Sequence, residues 1–412
     1  MKTDLDRLMM EQGIDAILVF GDAQHNPAMH YFTGGGHISH ALLVKPRQAA
    51  AILFHNDMER EEAARSGLEC ISFSRYPLSQ FIKEGEPRQA AARRLQAILN
   101  DLGLTHGRIA IYGLDEIGQS WALLSSLARL NPNLEIIGDS AVLPMAMETK
   151  DEAEVGRIRR MGEITTRVVA RLAEWLSSAQ VNADEILLKE DGTPLTVGEV
   201  KRRINLWLVE EGAENPQDTI FAPGREAGIP HSTGTPTLPL RLGQTIVFDI
   251  FPCEAGGGYF YDFTRTWSLG YATDEALALY EQVKAAYDLV VNSLQANTSF
   301  KEYQRRVCEF FESKGHPTPL HRDVPPIEGY AHSLGHGLGL HVHELPASSL
   351  QSIGEQLLRP GCVITIEPGL YYPERGLGVR IEETFWVRPD GSIERLAEYP
   401  HDFVLPMKRW KR

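Results

Sequence analysis

Short apolar runs at residues 16–20, 41–44, 50–54, 108–112 and 134–137 alternate with segments whose apolar positions recur every three to four residues. That change of period predicts strands interleaved with helices, an α/β pattern. Among the helical segments, 88–102 is closed by Gly103 and 120–130 is stopped by Asn131-Pro132, residues that favour a left-handed cap or cannot continue a helix. The pattern changes near Pro144. Beyond it, Thr149 with Glu152 reads as a capping box opening a helix that carries Val155, Ile158, Ile164, Val168, Leu172 and Leu176 on one stripe. Further helix starts are expected at Thr196 with Glu199, at Thr273-Asp274-Glu275 and at Ser299 with Glu302, with Gly212 and Gly315 placed to end two of them. Strands are expected at 245–251, 258–267, 362–367 and 378–387. The chain is therefore expected to form an α/β domain over 1–145 and an α+β domain with antiparallel strands over 146–412.

Alternation within these strands sorts their side chains into faces. Thr245, Val247 and Asp249 share one face, and Phe260, Asp262 and Thr264 share one on the next strand, joined through Gly256-Gly257-Gly258. Asp249 and Asp262 are thereby brought together, flanked by Phe248, Phe251, Tyr261, Phe263 and Trp267, which are expected to be buried. Near the C-terminus Val363, Thr365 and Glu367 alternate with Ile364 and Ile366, and Arg380, Glu382 and Thr384 alternate with Val379, Ile381 and Glu383. Glu382 is expected inside with Arg380, leaving Glu383 as the more solvated of the pair. Buried carboxylates repel one another unless a cation lies between them. A histidine-rich stretch, His332 to His343, lies between the two strand pairs, and His231 could join it through the fold. Four carboxylates and one imidazole match the charge of two divalent ions, an oxygen-rich set suited to manganese, cobalt, iron or zinc.

Composition narrows the alternatives. The 412 residues carry 41 basic and 55 acidic side chains, a net charge of −14, which repels phosphate backbones and anionic lipid. Neither a nucleic-acid nor a membrane partner is expected. The four cysteines, Cys70, Cys253, Cys308 and Cys362, fit no zinc ribbon or disulfide framework, so reduced thiols are expected. The N-terminal residues lack the apolar run of a signal peptide, and no run of about 18 apolar residues occurs; the cytoplasm is the expected compartment. Gly335, Gly337 and Gly339 lack the spacing of a dinucleotide fingerprint, and no His-Glu-x-x-His motif occurs.

The order Asp, Asp, His, Glu, Glu, set in Phe248-Asp249-Ile250, Tyr261-Asp262-Phe263-Thr264-Arg265-Thr266, Gly335-His336-Gly337-Leu338-Gly339-Leu340, Ile366-Glu367-Pro368-Gly369-Leu370-Tyr371 and Gly378-Val379-Arg380-Ile381-Glu382-Glu383, resembles the pita-bread metallopeptidases. Xaa-Pro aminopeptidases and Xaa-Pro dipeptidases (prolidases) are nearest in layout. Met29-His30-Tyr31-Phe32-Thr33-Gly34 resembles a segment of the family's creatinase-like N-terminal domain, so the likeness spans almost the whole chain. One departure stands out: Asp249 and Asp262 are 13 positions apart where the family commonly has eleven, and Phe251 replaces a glycine.

The resemblance implies two divalent ions, manganese before cobalt, zinc or iron, with Asp249 and Asp262 on one, Asp262, His336 and Glu367 on the other, and Glu382 bridging. It implies a metal-bridged hydroxide as nucleophile, Glu367 as proton shuttle, His231 and His343 on the substrate carbonyl, His332 lining the proline side, and Arg380 orienting a ligand carboxylate. The expected reaction is hydrolysis of an N-terminal Xaa-Pro bond in a proline-containing peptide, by a homodimer or higher homo-oligomer. A strict dipeptidase is the alternative; it must bind a free prolyl carboxylate, and residues 345–358 contain no Lys or Arg, which favours the aminopeptidase. The N-terminal domain is surplus to a methionine aminopeptidase, and the intact ligand set disfavours a creatinase-like enzyme or a binding protein on the same scaffold.

Overall fold

A computed structural model describes residues 4–322 and 324–410; Met1, Lys2 and Thr3, the start of the N-terminal segment that lacks a signal-peptide run, lie outside the described residues. The chain divides into two units, one running to Met147 and including Gly256–Gly258, the other holding Glu148–Ala255 and the chain from Tyr259 onward.

The first unit is built on six strands, β1 (Ala16–Gly21), β2 (Ala41–Pro46), β3 (Ile52–His55), β4 (Glu69–Ser72), β5 (Gly107–Gly113) and β6 (Leu134–Ile137), in the order β4-β3-β2-β1-β5-β6. The sheet is mixed: β1 runs antiparallel to β2 and parallel to β5. Ala16, Ile17, Leu18 and Val19 are all buried, as in a central strand covered on both faces. β4 had no apolar run to announce it because none of its residues is buried. Helices α1 (Ala90–Asp101) and α2 (Ile117–Leu130) bring Leu95, Ile98, Leu99 and Leu127 onto Leu18, Val44 and Phe54. α2 starts earlier than the sequence suggests because the Glu116 carboxylate accepts the Gly118 and Gln119 N–H groups; glutamate is not a usual cap.

In the second unit, α3 (Glu152–Ser177) opens on a capping box of Asp151 and Glu154, not Thr149 and Glu152. Thr149 is committed to a β-bridge with Cys362, and the Lys150 N–H donates to Gly361 O, so the helix cannot begin there. The box of Thr196 and Glu199 does open α4 (Val197–Glu210), and Thr273 caps α5 (Asp274–Val291) through the Ala276 N–H. Helix α6 (Phe300–Ser313) follows. No helix among the described residues is long and apolar enough to cross a membrane.

Three sheets of this unit carry the acidic and histidine side chains. In the first, β7 (Ile220–Pro223), β8 (Thr245–Ile250) and β9 (Phe263–Leu269) are antiparallel neighbours, with Asp249 opposite Thr264. In the second, β10 (His336–Gly337), β12 (Val363–Ile366) and β15 (Glu383–Val387) are adjacent, flanked by β11 (Glu344–Ala347) and β16 (Ile393–Arg395). The third is the hairpin of β13 (Gly369–Tyr372) and β14 (Leu377–Arg380). Residues 378–387 are therefore not one strand: the chain leaves β14 at Arg380 and enters a different sheet at Glu383. Leu279, Val283, Val307 and Phe311 of α5 and α6 pack on Ile364, Ile366, Val379 and Phe385 behind these sheets.

The long connection from Asp249 to Asp262 closes on itself. Glu254 N–H donates to Tyr259 O, Tyr261 N–H donates to Pro252 O, and Gly256 and Gly257 take positive φ of 85° and 81°. Of the flanking aromatics, Phe248, Tyr261, Phe263 and Trp267 are buried, whereas Phe251 is only half-buried. All four cysteines are free thiols, and all but the half-buried Cys70 are buried. Gly378 illustrates how tightly the strands pack: a Cβ there would lie 1.8 Å from Ala227 O and 2.8 Å from Gly228 N. Because those atoms are backbone and cannot swing away, Gly378→Ala is expected to cost about 1–3 kcal/mol, read as a lower urea midpoint.

Candidate metal centre

Asp249 sits near the end of β8, Asp262 immediately before β9, His336 opens β10, Glu367 follows β12, and Glu382 lies in the step between β14 and β15. Backbone hydrogen bonds tie the last of these to the first sheet: Glu382 N–H donates to Thr264 O (3.1 Å) and Thr264 N–H to Glu382 O (3.4 Å). Side chains refine the placement. The Thr264 hydroxyl donates to Glu382 Oε2 (2.7 Å), and the Thr384 hydroxyl to Asp262 O (2.9 Å).

Four of the five side chains come together, and Asp249 is tied to the group through Arg380. Asp262, His336 and Glu382 each offer a ligand atom within 4.8 Å of the other two. His336 Nε2 lies 3.6 Å from Asp262 Oδ2 and 3.4 Å from Glu367 Oε1. His336 Nδ1 is 3.0 Å from Gly337 O; a carbonyl can only accept, so Nδ1 carries the proton and Nε2 presents a lone pair to two carboxylates. Burial, with His343 adding to it, pushes the His336 pKa down to about 3, so protonation does not resolve this contact near neutral pH. Asp249 Oδ1, Asp262 Oδ1 and Glu382 Oε1 are buried without a hydrogen-bond partner among the described residues.

The carboxylates strain against one another. Burial and then the charge of Glu382 push both Asp262 and Glu367 well above the usual carboxylate range, and burial followed by Asp249 pushes Glu382 up to about 8. A lone pair, three orphaned oxygens and mutually repelling carboxylates fit divalent cations, which would satisfy all of them at once.

A chain of hydrogen bonds runs outward. Arg380 Nη2 donates to Asp249 Oδ2 (2.6 Å), Nε to Thr264 Oγ1 (3.3 Å), and Nη1 to Tyr371 Oη (2.7 Å) and to Pro230 O (3.2 Å). His332 Nδ1 donates to Ser333 O (2.7 Å), which leaves Nε2 to accept from the Tyr371 hydroxyl (2.7 Å). Burial and then Arg380 push the His332 pKa down to about 3, so this ring is neutral. His343 lies against His336, ring centroids 4.3 Å apart, and is exposed, as is His231 beside Pro230.

Glu383 departs from the expectation. Rather than being the solvated partner of Glu382 it is fully buried, paired with Arg265, with Arg395 (2.7 Å) and with His401 (3.1 Å), and it accepts from the Tyr287 hydroxyl. Although burial acts to raise its pKa, the His401 hydrogen bond and the Arg265 charge outweigh that and hold it near 2. β15 has neighbours on both edges and no wet face, so alternation could not expose it. Sequence reasoning also gave no role to Tyr371, Thr264 or Thr384. Thr264 shares the alternation that placed Asp262, and Tyr371 ends the segment carrying Glu367, so the pattern held a signal for both.

The sequence pattern described as Metallopeptidase family M24 matches residues 156–389, and that of the Creatinase/Prolidase N-terminal domain matches residues 3–144. A Xaa-Pro dipeptidase of Pyrococcus horikoshii is 28% identical over 397 residues, 96% of this chain and 96% of that protein. Among solved structures, a dipeptidase from Pyrococcus horikoshii has the same fold with a TM-score of 0.75 at 23% identity, covering 98% of this chain and 99% of that one. An X-Pro aminopeptidase from Thermotoga maritima superposes with a TM-score of 0.73 at 25% identity, again covering 98% and 99%.

Proposed function

The chain belongs to metallopeptidase family M24, and from that premise we propose that it hydrolyses the peptide bond between an N-terminal residue and a following proline. The observation that carries this reading is the unprotonated Nε2 of His336 turned toward Asp262 and Glu367 beside the orphaned oxygens of Asp249, Asp262 and Glu382. Asp249 and Asp262 would hold one cation, Asp262, His336 and Glu367 the second, and Glu382 would bridge, with manganese the ion proposed. Bound there, two divalent cations supply the charge that makes water acidic enough to attack near neutral pH and that polarises the scissile carbonyl.

Glu367 takes the proton of the attacking water and passes it to the prolyl nitrogen, which leaves badly unless protonated. His231 and His343, both exposed, hydrogen-bond the carbonyl oxygen as negative charge develops on it. His332, neutral and half-buried, lines the proline side. Arg380 fixes the Asp249 carboxylate through its 2.6 Å hydrogen bond, a rigid fork suited to that task.

Two forms of the reaction have support: the aminopeptidase from the lack of Lys and Arg across 345–358, the dipeptidase from the likeness along nearly the whole of a Xaa-Pro dipeptidase. The net charge of −14 supports a peptide partner over nucleic acid, and a cytoplasmic homodimer or larger homo-oligomer belongs to the same proposal. The test is hydrolysis of Ala-Pro, Ala-Pro-Ala and Ala-Ala-Ala by metal-stripped protein with and without added manganese. Manganese-dependent cleavage of the proline peptides with little of Ala-Ala-Ala is expected; no cleavage of any of them under any metal would sink the reading.

A further inference from the structure

The second unit carries a cavity of about 810 Å³ that shares no residue with the metal centre. It lies between the C-terminal end of α3, the stretch of α4 from Glu199 to Leu206, the connection that joins the two helices, and Arg409. Trp175, Leu188 and Leu206 give it apolar walls. The volume falls within the roughly 300–1,000 Å³ of sites for small organic ligands and exceeds what a lone inorganic ion needs. The charges around it do not balance. Lys189 is matched, meeting Glu199 at 2.8 Å and Asp191 at 3.6 Å. Arg202, Arg203 and Arg409 are exposed and make no ion pair with another described residue, and the lining holds one further carboxylate, Glu190. Three guanidiniums thus stand against one carboxylate in a chain whose net charge is −14. Arg203 is also held in place: its guanidinium lies over Trp175 (5.4 Å) and Trp207 (5.9 Å), whose rings meet edge to face at 6.0 Å. Such a contact satisfies none of its N–H donors, so the fork stays open to an anion. Like charges gathered around a concave, partly apolar surface raise the local potential and draw anions in.

We propose that this cavity binds a small organic anion of at least two negative charges, phosphate or carboxylate, on an apolar body. Arg202, Arg203 and Arg409 pair with the anionic groups, and the body lies against Trp175, Leu188 and Leu206. A guanidinium meets either group through charge-assisted hydrogen bonds of matched geometry. One negative charge would leave two of the three guanidiniums unmatched, which is why the ligand carries more than one. The proposal goes beyond the Xaa-Pro reading and does not rest on it, since it invokes neither a metal nor any residue of that centre.

The test is calorimetric binding of three probes with one apolar body, naphthalene-2,6-dicarboxylate, 2-naphthyl phosphate and 2-naphthoate, to the full-length manganese-loaded protein at about pH 8, where the phosphate carries both its charges. Wild type is expected to hold at least one of the two dianions about fivefold or more tighter than the monoanion 2-naphthoate, with the preference shrinking as salt is added. The dianion held more tightly tells whether the ligand is a phosphate or a carboxylate. Arg202→Gln combined with Arg409→Gln is expected to bind all three probes alike, while melting with wild type because neither guanidinium holds another described residue. Arg202→Lys combined with Arg409→Lys keeps the charge without the fork and is expected to recover part of the preference. Anions bound at the metal centre instead would be indifferent to both changes. Equal binding of dianions and monoanion by wild type, or a preference that survives in the glutamine variant, overturns the assignment.

Discussion

Glu382→Gln is expected to raise the melting temperature of the metal-stripped protein at pH 8, to abolish its stabilisation by manganese, and to lower Ala-Pro hydrolysis on the order of 10³-fold or more. The rate loss follows if Glu382 is the bridging ligand proposed above, since the charge stabilisation supplied by such ions amounts to several kcal/mol and each 1.36 kcal/mol is tenfold. The gain in stability has a separate origin. Without cations, Glu382 is buried beside Asp249, and burial followed by that neighbour raises its pKa from the ordinary 4.5 to about 8. A carboxyl group with a raised folded-state pKa binds its proton more tightly folded than unfolded between those two values. Stability of the metal-stripped protein therefore falls as pH rises across that window. Glutamine keeps a carbonyl oxygen for the Thr264 hydroxyl but never charges, so variant and wild type should melt alike near pH 5 and diverge by pH 8. Scanning calorimetry of both proteins at the two pH values checks the sign; a variant less stable than wild type at pH 8 would show that Glu382 is not repelled there.

The second large effect is expected at Lys150→Met, with a loss of about 3–5 kcal/mol in unfolding free energy. Lys150 Nζ lies 2.6 Å from Glu344 Oε2, and the two side chains are only 2% and 4% exposed. The Glu344 Oε1 atom in turn accepts the His341 N–H at 3.0 Å, which anchors the segment carrying His343. Removing the cation strands a buried carboxylate. Removing both charges does not, so Lys150→Met combined with Glu344→Leu should recover much of the loss. Urea midpoints at constant m-value measure both; a double variant as unstable as the single one would show that packing, not charge, holds this pair.

How much of this was legible in the sequence depends on whether the signal was local. Asp249 was placed by period-two alternation within β8, and Asp262 beside it because β8 and β9 are neighbouring antiparallel strands, although the strand expected at 258–267 begins only at Phe263 and leaves Asp262 just outside it. His336 and Glu367 were carried by compact motifs. Glu382 was found inside, but for a reason alternation does not contain: it occupies the step where the chain crosses from one sheet to another. The same step hid Glu383, since a strand continued through residues 378–387 assigns it a solvent face, whereas its partners Arg265, Arg395 and His401 come from distant segments. The cap of α3 failed likewise. Thr149 with Glu152 and Asp151 with Glu154 are equally good boxes by composition, and only the pairing of Thr149 with Cys362 selects the second.

The step at Glu382 also bears on how the unit is held together. Asp249 comes from a strand of the first sheet, His336 from a strand of the second, and Glu382 from the seam between the second sheet and the β13–β14 hairpin. Cations held by these side chains would act as non-covalent cross-links between segments far apart in sequence, closing long loops much as a disulfide does in a chain whose four thiols are all unpaired.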